Sequence, residues 1–322
     1  MNLAAYKEEF LAYLEKEIQV KEPKNLYEPI QYILQIGGKR LRPLLTLVSC
    51  HFFYGQYKDA LPAALAIEVF HNFTLVHDDI MDEAPIRRGK TTVHKKWDLN
   101  RGILSGDAMM LMTNQLMEHY EPKKFKNLMV LFNKTALEVC EGQQYDVDFE
   151  SRDDVSIPEY LKMITYKTAV LVACSLKMGA IIANAEVKDA NLIYDYGLQL
   201  GIAFQLQDDF LDTFGDAVTF GKQIGGDILE NKKTYLYLKL LEVISDDDKL
   251  VLLNWFNTKE KSVDKIQAVT NLYKKYGIPE MIKQEIDIYT QLSYKSLENT
   301  SMNDKGKGFF KQLGNDLLNR TV

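Results

Sequence analysis

Two short acidic clusters are the residues of this sequence best suited to chemistry. Each holds three aspartates in the pattern DDxxD: Asp78, Asp79 and Asp82 in HDDIMDE, and Asp208, Asp209 and Asp212 in QLQDDFLDTFGD. Residues four positions apart in a helix lie one turn apart on the same face, so the first and last carboxylates of each cluster are neighbours. Carboxylate oxygens suit Mg²⁺, which keeps some water and often joins one or two carboxylates to substrate phosphates.

A single DDxxD among 45 acidic residues is most often a solvated patch on a surface helix. Both clusters here interrupt apolar helical stretches, FTLVHDDIMD and GIAFQLQDDFLD. Neighbouring carboxylates repel one another, oppose the macrodipole at a helix C-terminus and are costly to bury. Their occurrence twice in this setting favours bound cations. Neither copy has the glycine and spaced oxygen ligands of an EF-hand, which disfavours a calcium module.

Basic residues accompany the acidic clusters and a Gly-Gly pair. They are Lys39, Arg40 and Arg42 in GGKRLRP, Arg87 and Arg88 after the first cluster, and Lys222, Lys232 and Lys233 after the second. Arginine binds phosphate oxygens bidentately and lysine acts as a point charge, so this pattern predicts a phosphate-bearing substrate. His71, two turns before Asp78 on the same face, fits either a packed core histidine or a ligand of that anion. No GxxxxGK[ST] loop is present in the sequence, which excludes a P-loop enzyme.

Helical periodicity predicts the elements that position these residues. With 8 prolines in 322 residues and no alternating strand pattern, the chain is expected to be all-α. Helices are predicted near the N-terminus, over 60–82, and from about Gly106, Asn127, Ser156, Ala190 and Asp246, with a capping box at Ser156 and Glu159. The stretches 84–102 and 213–233 are expected to be irregular, the first being a loop and a short helix. No linker divides the chain, so residues 1–322 are expected to form a single domain.

Composition and charge limit the partners. The net charge of −6 argues against nucleic-acid binding. Three widely spaced cysteines show neither a disulfide framework nor a zinc pattern, which fits a reducing compartment. The charged N-terminus does not resemble a secretory signal, and the longest apolar run, 169–183, is broken by Lys177. A soluble cytoplasmic protein without stable membrane insertion is expected.

The motifs, taken in order, resemble the trans-isoprenyl diphosphate synthases, the polyprenyl synthetase family. GGKRLRP, HDDIMDEAPIRRGKTTVH, GDAMM, YKTAVL and FQLQDDFLDTFGD…GKQIGGDILENKKTYL follow that family's order between Gly37 and Leu236. The resemblance implies an all-α isoprenoid synthase fold, a single large helical bundle surrounding a central active-site cavity, and a homodimer. It also implies that the two DDxxD motifs face each other across the bundle and hold Mg²⁺, three ions per site once substrate is bound.

The resemblance also implies a role for each residue. Asp78, Asp82 and Asp208 would be direct metal ligands, Asp79, Asp209 and Asp212 supporting carboxylates, and Asp227 a second-shell or water-mediated position. The allylic diphosphate would be held by Arg87, Lys167, Lys222 and Lys232, and the diphosphate of isopentenyl diphosphate by Lys39, Arg42, His71 and Arg88. Thr168 and Gln205 would line the reacting carbons. The family's C-terminal basic residue matches Arg320 too weakly for an assignment.

The implied reaction is a Mg²⁺-dependent, head-to-tail condensation of isopentenyl diphosphate with dimethylallyl, geranyl or farnesyl diphosphate. A C15 or C20 product is expected because Phe73 would lie about 7.5 Å along the helix axis from Asp78 and, with Thr74 and Phe70, form the floor of the product pocket. Phe73 is equally compatible with an ordinary core position. Two alternatives stay open: a terpene cyclase of the same fold, and a non-catalytic regulatory subunit of a heteromeric prenyl synthase.

Overall fold

Helices make up nearly all the regular structure, as the sequence predicts. The computed structural model describes residues 3–215, 224–258 and 261–318. The chain divides into two compact units, Met1–Lys134 with Cys174–Asn191, and Thr135–Ala173 with Leu192–Val322. The boundaries between the units fall inside helices α7, α9 and α10, whose ranges are given below, and the single domain stays a prediction.

The first unit contains the N-terminal helices and a short hairpin. Its elements are α1 (Leu3–Glu17), α2 (Lys24–Gln35), α3 (Leu41–Phe52), a 3-10 turn (Tyr57–Ala60), α4 (Leu61–Met81), β1 (Ile86–Arg87), β2 (Lys90–Thr91), α5 (Val93–Lys96), α6 (Leu99–Met117) and the first part of α7 (Pro122–Ser151). Helices α4 and α6 pack against each other. Glycines permit the close approach, because a Cβ added at Gly106 would lie 2.6 Å from His77 Cδ2, and one at Gly102 would lie 2.9 Å from Ile80 Cδ1.

The second unit contains the rest of α7 and the C-terminal helices. Its elements are α8 (Ile157–Ile164), a π-helical turn (Thr165–Ala169), part of α9 (Val170–Ile182), most of α10 (Val187–Phe214), α11 (Gly226–Leu229), α12 (Tyr235–Val243), α13 (Asp246–Phe256), α14 (Val263–Lys275), α15 (Ile278–Glu298) and α16 (Asp304–Leu318). Tyr196, Tyr273 and Phe310 are among its fully buried side chains. The Tyr196 hydroxyl donates a 2.8 Å hydrogen bond to the carbonyl of Phe310, which satisfies the buried polar group.

The predicted start of a helix is correct where the sequence prediction used an N-cap residue, and wrong where it relied on apolar periodicity alone. Ser156 and Glu159 form the expected capping box at the start of α8. The predicted start at Gly106 is wrong, because α6 begins at Leu99. Its N-cap is Asp98, whose side chain accepts a 2.8 Å hydrogen bond from the backbone N–H of Arg101. This N-cap aspartate starts the helix at Leu99, seven positions before the start that the apolar periodicity indicates.

The stretch 84–102, expected to be a loop and a short helix, also contains a short hairpin. Strands β1 and β2 pair in antiparallel register, with Arg87 opposite Lys90. The two corner residues, Arg88 and Gly89, both have positive φ angles, 50° and 74°. Such corners match the twist of a two-residue hairpin, but they are usually Asn-Gly or Asp-Gly. Because arginine occupies the first corner position here, the sequence lacks the usual dipeptide that would predict a hairpin.

Within the part of the chain that the structure describes, one helical stretch, Ile157–Ile182, is long and apolar enough by composition to cross a membrane. However, 67 % of its most apolar window is buried inside the protein. This pattern is typical of a core helix in a soluble protein, since a membrane-spanning segment would turn its apolar side chains outward to lipid.

Candidate active site

The first acidic cluster lies at the C-terminal end of α4. Asp79 is buried, with 1 % exposure, and Asp82 is the C-cap residue. The Oδ1 atom of Asp79 accepts hydrogen bonds from Nε and Nη2 of Arg87, both at 2.7 Å. Burial raises the pKa of Asp79, and the guanidinium of Arg87 opposes that rise. The hairpin therefore places Arg87 against Asp79, the middle carboxylate of the cluster.

A separate group of cationic side chains lies beside the Gly37–Gly38 turn. Nη1 of Arg88 donates a hydrogen bond to the carbonyl of Gly37, and a Cβ at Gly38 would lie 2.8 Å from that same nitrogen. Nη1 of Arg42 lies 3.3 Å from Nε2 of His71. Burial, followed by the charges of Arg42 and Arg88, holds the pKa of His71 well below its usual value. The imidazole is therefore neutral at neutral pH, and the positive charge of the group comes from the arginines.

Arg40 does not share this position, although it stands between Lys39 and Arg42 in the sequence. Its side chain turns inward, forms an ion pair with Glu68 and donates to the carbonyl of Leu34. Both side chains of the pair are only 3 % exposed. Asn72 Nδ2 donates a 3.0 Å hydrogen bond to the same Glu68 carboxylate. Arg40 thus anchors the turn, while Lys39 is exposed beside it.

The second acidic cluster lies near the C-terminal end of α10 and is held by neighbouring side chains. Tyr160 Oη donates to Asp209 Oδ2, and Gln205 Nε2 donates to Asp209 Oδ1 at 3.4 Å. Thr168 Oγ1 in turn donates to Gln205 Oε1 at 3.3 Å. Burial, reinforced by the charge of Asp227, raises the pKa of Asp209 well above its usual value. Sequence reasoning missed Tyr160, whose position on α8 carries no motif signal.

Lys167 and Thr168 lie in the π-helical turn that joins α8 to α9. Such turns change the direction in which side chains project and are frequent at functional sites. Gly142 of α7 packs directly on this turn, since a Cβ there would lie 2.7 Å from the carbonyl carbon of Tyr166. Nζ of Lys167 forms a 2.5 Å ion pair with Asp146 Oδ2, also on α7. Helix α7 therefore fixes both the backbone and the ammonium of this turn.

The segment after the second cluster folds back onto Asp212. The carboxylate of Asp212 accepts a 3.0 Å hydrogen bond from the backbone N–H of Asp227. Lys232 Nζ lies 3.6 Å from Asp227 Oδ1 and 3.2 Å from Glu230 Oε2. Burial lowers the pKa of Lys232, but the two carboxylates more than offset this effect and raise it above its usual value. The predicted site residue Lys222 lies outside the described residues, as does Arg320.

The residues assigned to product length lie on α4, N-terminal to the first cluster. The buried ring of Phe70 is 5.1 Å from that of Phe132 and 5.6 Å from that of Phe73, measured between ring centroids. Phe73 is only partly buried, and its ring lies 4.8 Å from the imidazole of His77. Thr74 Oγ1 donates a 2.9 Å hydrogen bond to the carbonyl of His71. Phe70 is thus a core residue, whereas Phe73 keeps part of its ring accessible.

Comparison with known proteins decides the family. The model of the polyprenyl synthetase family matches residues 23–273. The chain belongs to the polyprenyl synthetase family. It is 40 % identical over 284 residues to a geranylgeranyl diphosphate synthase of Sulfolobus acidocaldarius, covering 84 % of this chain and 86 % of that relative. A geranylfarnesyl diphosphate synthase of Natronomonas pharaonis is 38 % identical over 254 residues, covering 73 % and 74 % of the two chains.

A crystal structure of a geranylgeranyl pyrophosphate synthase superimposes with a TM-score of 0.95. It is 51 % identical in sequence, and the match covers 100 % of both chains. The fold is therefore the all-α isoprenoid synthase fold, and the chain is a prenyltransferase of the same type as these family members.

The polyprenyl synthetase family is generally Mg²⁺-dependent, and the side chains of the two clusters fit that ion. Hard carboxylate oxygens are its preferred protein ligands, and Asp79 Oδ2 is a buried oxygen without a hydrogen-bond partner in the described structure. Among residues 3–215, 224–258 and 261–318, no three His, Cys, Asp or Glu side chains form a ready-made metal cage. Mg²⁺ does not need one, because it usually retains water and uses substrate phosphates as further ligands.

Proposed function

We propose that this prenyltransferase condenses isopentenyl diphosphate head-to-tail with allylic diphosphates to give an all-trans C15 to C20 prenyl diphosphate. The observation that carries the proposal is that two adjacent arginines bind different parts of the site. Arg87 binds Asp79 of the acidic cluster, whereas Arg88 reaches the Gly37 turn beside Arg42 and His71. One hairpin thus serves a carboxylate cluster suited to a metal-bound diphosphate and a cationic group suited to a second diphosphate.

The allylic diphosphate is assigned to the carboxylate clusters and their cations. Asp78, Asp82 and Asp208 would hold Mg²⁺ directly, with Asp79, Asp209 and Asp212 in support and three ions per site when substrate is bound. Bound Mg²⁺ would neutralise charge that develops on the leaving diphosphate. Arg87, Lys167 and Lys232 bind its oxygens from the protein side, together with Lys222. Lys39, Arg42, His71 and Arg88 hold the diphosphate of isopentenyl diphosphate.

Bond breaking starts at the allylic carbon. The C–O bond breaks, the electron pair leaves with the diphosphate, and the prearranged cations stabilise the charge there. The oxygen dipoles of Thr168 and Gln205 stabilise the allylic cation. The double bond of isopentenyl diphosphate then forms the new carbon–carbon bond. A proton passes from the resulting cation to the departed diphosphate, which restores a double bond.

Phe73, backed by Phe70 and next to Thr74, is assigned as the limit on product length. The partly accessible ring of Phe73 supports this assignment, because a residue wholly enclosed in the core could not meet a growing prenyl chain. A C20 product agrees with the names of several relatives, including that of Sulfolobus acidocaldarius.

The proposal includes a homodimer in the cytoplasm. Helix α6 exposes several large apolar side chains: Leu99, Ile103, Leu104 and Leu111, with 51 %, 40 %, 59 % and 65 % exposure. A second copy of the chain would bury them. Light scattering after gel filtration should give a dimer that Leu104→Glu with Leu111→Glu dissociates, while Val263→Glu, a similarly exposed site on α14, leaves it intact. A monomeric wild-type protein would refute the dimer.

The test of the reaction is a product assay with the purified protein, isopentenyl diphosphate, each allylic primer in turn, and Mg²⁺. We expect C15 to C20 prenyl diphosphates, and a loss of about 10²–10³-fold in kcat for Asp78→Ala and for Asp208→Ala. Asp287→Ala, an exposed aspartate of α15, is the control for removing a carboxylate. Near-wild-type turnover of the two variants would refute the assigned ligands.

The same assay separates the competing functions. A terpene cyclase would release a hydrocarbon from an allylic diphosphate without consuming isopentenyl diphosphate. A non-catalytic subunit would show no turnover when it is alone. The intact second DDxxD and the cationic group at Arg42 and Arg88 favour the condensation over both alternatives.

A further inference from the structure

Lys265, in the first turn of α14, is a lysine with no solvent exposure. Its Nζ donates to Oδ1 of Asn231 and lies 3.5 Å from the carbonyl oxygen of Thr258. The same ammonium lies 5.6 Å from the ring centroid of Phe256. An ammonium is expensive to remove from water unless several polar partners surround it. A buried lysine in such surroundings therefore holds those partners in a defined arrangement.

The principal partner, Asn231, occupies the turn that leads from α11 to the basic residues Lys232 and Lys233. Its backbone is left-handed, with φ 58°, and its Nδ2 donates a 3.3 Å hydrogen bond to the carbonyl of Thr258. Both ends of the amide are thus bound to the same buried region. The backbone N–H of the next residue, Lys232, donates to the carbonyl of Asp227 at 2.9 Å. Fixing Asn231 consequently fixes the start of the Lys232 side chain.

A continuous set of contacts leads from this turn to the second acidic cluster. Lys232 Nζ approaches Asp227 Oδ1 at 3.6 Å, and the backbone N–H of Asp227 donates to the Asp212 carboxylate. Helix α14 also contacts the other end of α11. A Cβ at Gly225, where φ is 80°, would lie 2.7 Å from Cγ2 of Ile266. Two consecutive residues of α14 therefore contact both ends of the segment that carries Asp227.

We propose that Lys265 is a positioning residue for the diphosphate site: its buried ammonium fixes the Asn231 turn and thereby places Asp227 and Lys232. This inference rests on the proposed function of those two residues. Lys265 has no access to solvent and cannot itself touch a diphosphate, so it acts through the residues that it holds, of which Asn231 is the one next to Lys232. Partners of this indirect kind change ligand or metal affinity by about 10–100-fold when they are removed.

The test compares two lysines of one helix in the full-length protein. Lys265→Met keeps most of the side-chain length and removes the ammonium. Lys275→Met is the matched control, since Lys275 ends the same helix, is 60 % exposed and pairs with Asp248 at the surface. Calorimetric titration with inorganic diphosphate in the presence of Mg²⁺ should show binding weakened about 10–100-fold in Lys265→Met and unchanged in the control. The KM for the allylic substrate should rise in parallel, by a larger factor than kcat falls.

A second variant keeps the test decisive if Lys265→Met does not fold. Asn231→Gly removes the amide, while glycine accepts the left-handed backbone. Asn231→Gly should show the same loss of diphosphate affinity as Lys265→Met. If the double variant folds, its loss of affinity should not exceed that of either single variant, because both substitutions remove the contact between Lys265 and Asn231. Wild-type diphosphate affinity and KM in the folded single variants, measured below their melting temperatures, would overturn the inference. A wild-type protein that neither binds diphosphate nor turns over would refute the proposed function instead.

Discussion

The contact of Gly142 with the π-helical turn permits a quantitative test of how α7 places Lys167 and Thr168. A Cβ at position 142 would lie 2.7 Å from the carbonyl carbon of Tyr166 and 2.8 Å from Cα of Lys167, with the backbone nitrogen of Lys167 closer still. Ordinary contacts begin near 3.4 Å, so Gly142→Ala must separate α7 from the turn by at least about 0.7 Å. The neighbouring atoms are backbone, which cannot rotate out of the way.

The effect on activity should greatly exceed the effect on stability. Overpacking costs about 1–3 kcal/mol, and replacing a helical glycine by alanine returns about 1 kcal/mol through helix propensity. The net loss of about 0–2 kcal/mol lowers the melting temperature by only a few degrees. A displacement near 1 Å in a catalytic array, by contrast, costs about 10²-fold in rate. We therefore expect a folded Gly142→Ala protein with kcat/KM reduced about 10²-fold.

The assay is steady-state kinetics with both substrates, together with circular dichroism and thermal melting. Gly308→Ala is the matched control, because Gly308 also lies in a helix, α16, and a Cβ there meets nothing within 4 Å. It should melt at or slightly above the wild-type temperature with unchanged kinetics. A Gly142→Ala protein with kcat/KM within about twofold of wild type would show that the turn tolerates the displacement, and it would refute a role for this contact in placing Lys167 and Thr168.

Three further predictions concern single side chains. Phe73→Ala should lengthen the product by one or more isoprene units, and an unchanged chromatographic profile would contradict its role. Tyr160→Phe removes the hydroxyl donor to Asp209 Oδ2 and leaves the longer, 3.4 Å hydrogen bond from Gln205 to the other oxygen. Calorimetry should show Mg²⁺-dependent diphosphate binding weakened about 10–100-fold, whereas wild-type affinity would exclude a positioning role. Burial, followed by the charges of Arg42, Arg88, Arg87 and Arg40, holds the pKa of His71 well below its usual 6.5. On acidification the unfolded chain therefore takes up this proton first, and folding stability falls as the pH drops below 6.5. Denaturant unfolding at about pH 7.5 and pH 5 should show a smaller loss for His71→Gln, and an equal loss would refute the assignment.

Local sequence signals predict the parts of the site that depend on neighbours in the chain. The helical period places both acidic clusters correctly near helix C-termini, with α4 ending at Met81 and α10 at Phe214. The Ser156 capping box is equally local and equally correct. The grouping of Arg42, His71 and Arg88 comes from family resemblance, and the structure does bring those side chains together.

Features that depend on distant contacts could not be predicted. Arg40 turns inward because its partner Glu68 stands 28 positions away, and nothing in GGKRLRP distinguishes it from Arg42. The π-helical turn at Lys167 lies against Gly142 of another helix, a contact that periodicity within α8 and α9 does not encode. The sequence around Lys265 predicts an ordinary surface lysine of an amphipathic helix. The structure shows it buried, because the turn at Asn231, 34 positions earlier in the chain, packs over it.

Protein donors engage at least three of the six aspartates: Arg87 binds Asp79, Tyr160 binds Asp209, and the backbone N–H of Asp227 binds Asp212. Under the proposed function, this leaves too few carboxylate oxygens to surround three octahedral ions, so diphosphate and water must supply the rest. Binding of metal and binding of diphosphate are then thermodynamically linked. If bound diphosphate raises the affinity for Mg²⁺ by some factor, bound Mg²⁺ raises the affinity for diphosphate by the same factor. In a cell with nearly constant free Mg²⁺, we therefore expect metal occupancy of this enzyme to follow the supply of allylic diphosphate. Enzyme molecules that are waiting for a primer would hold little of the metal.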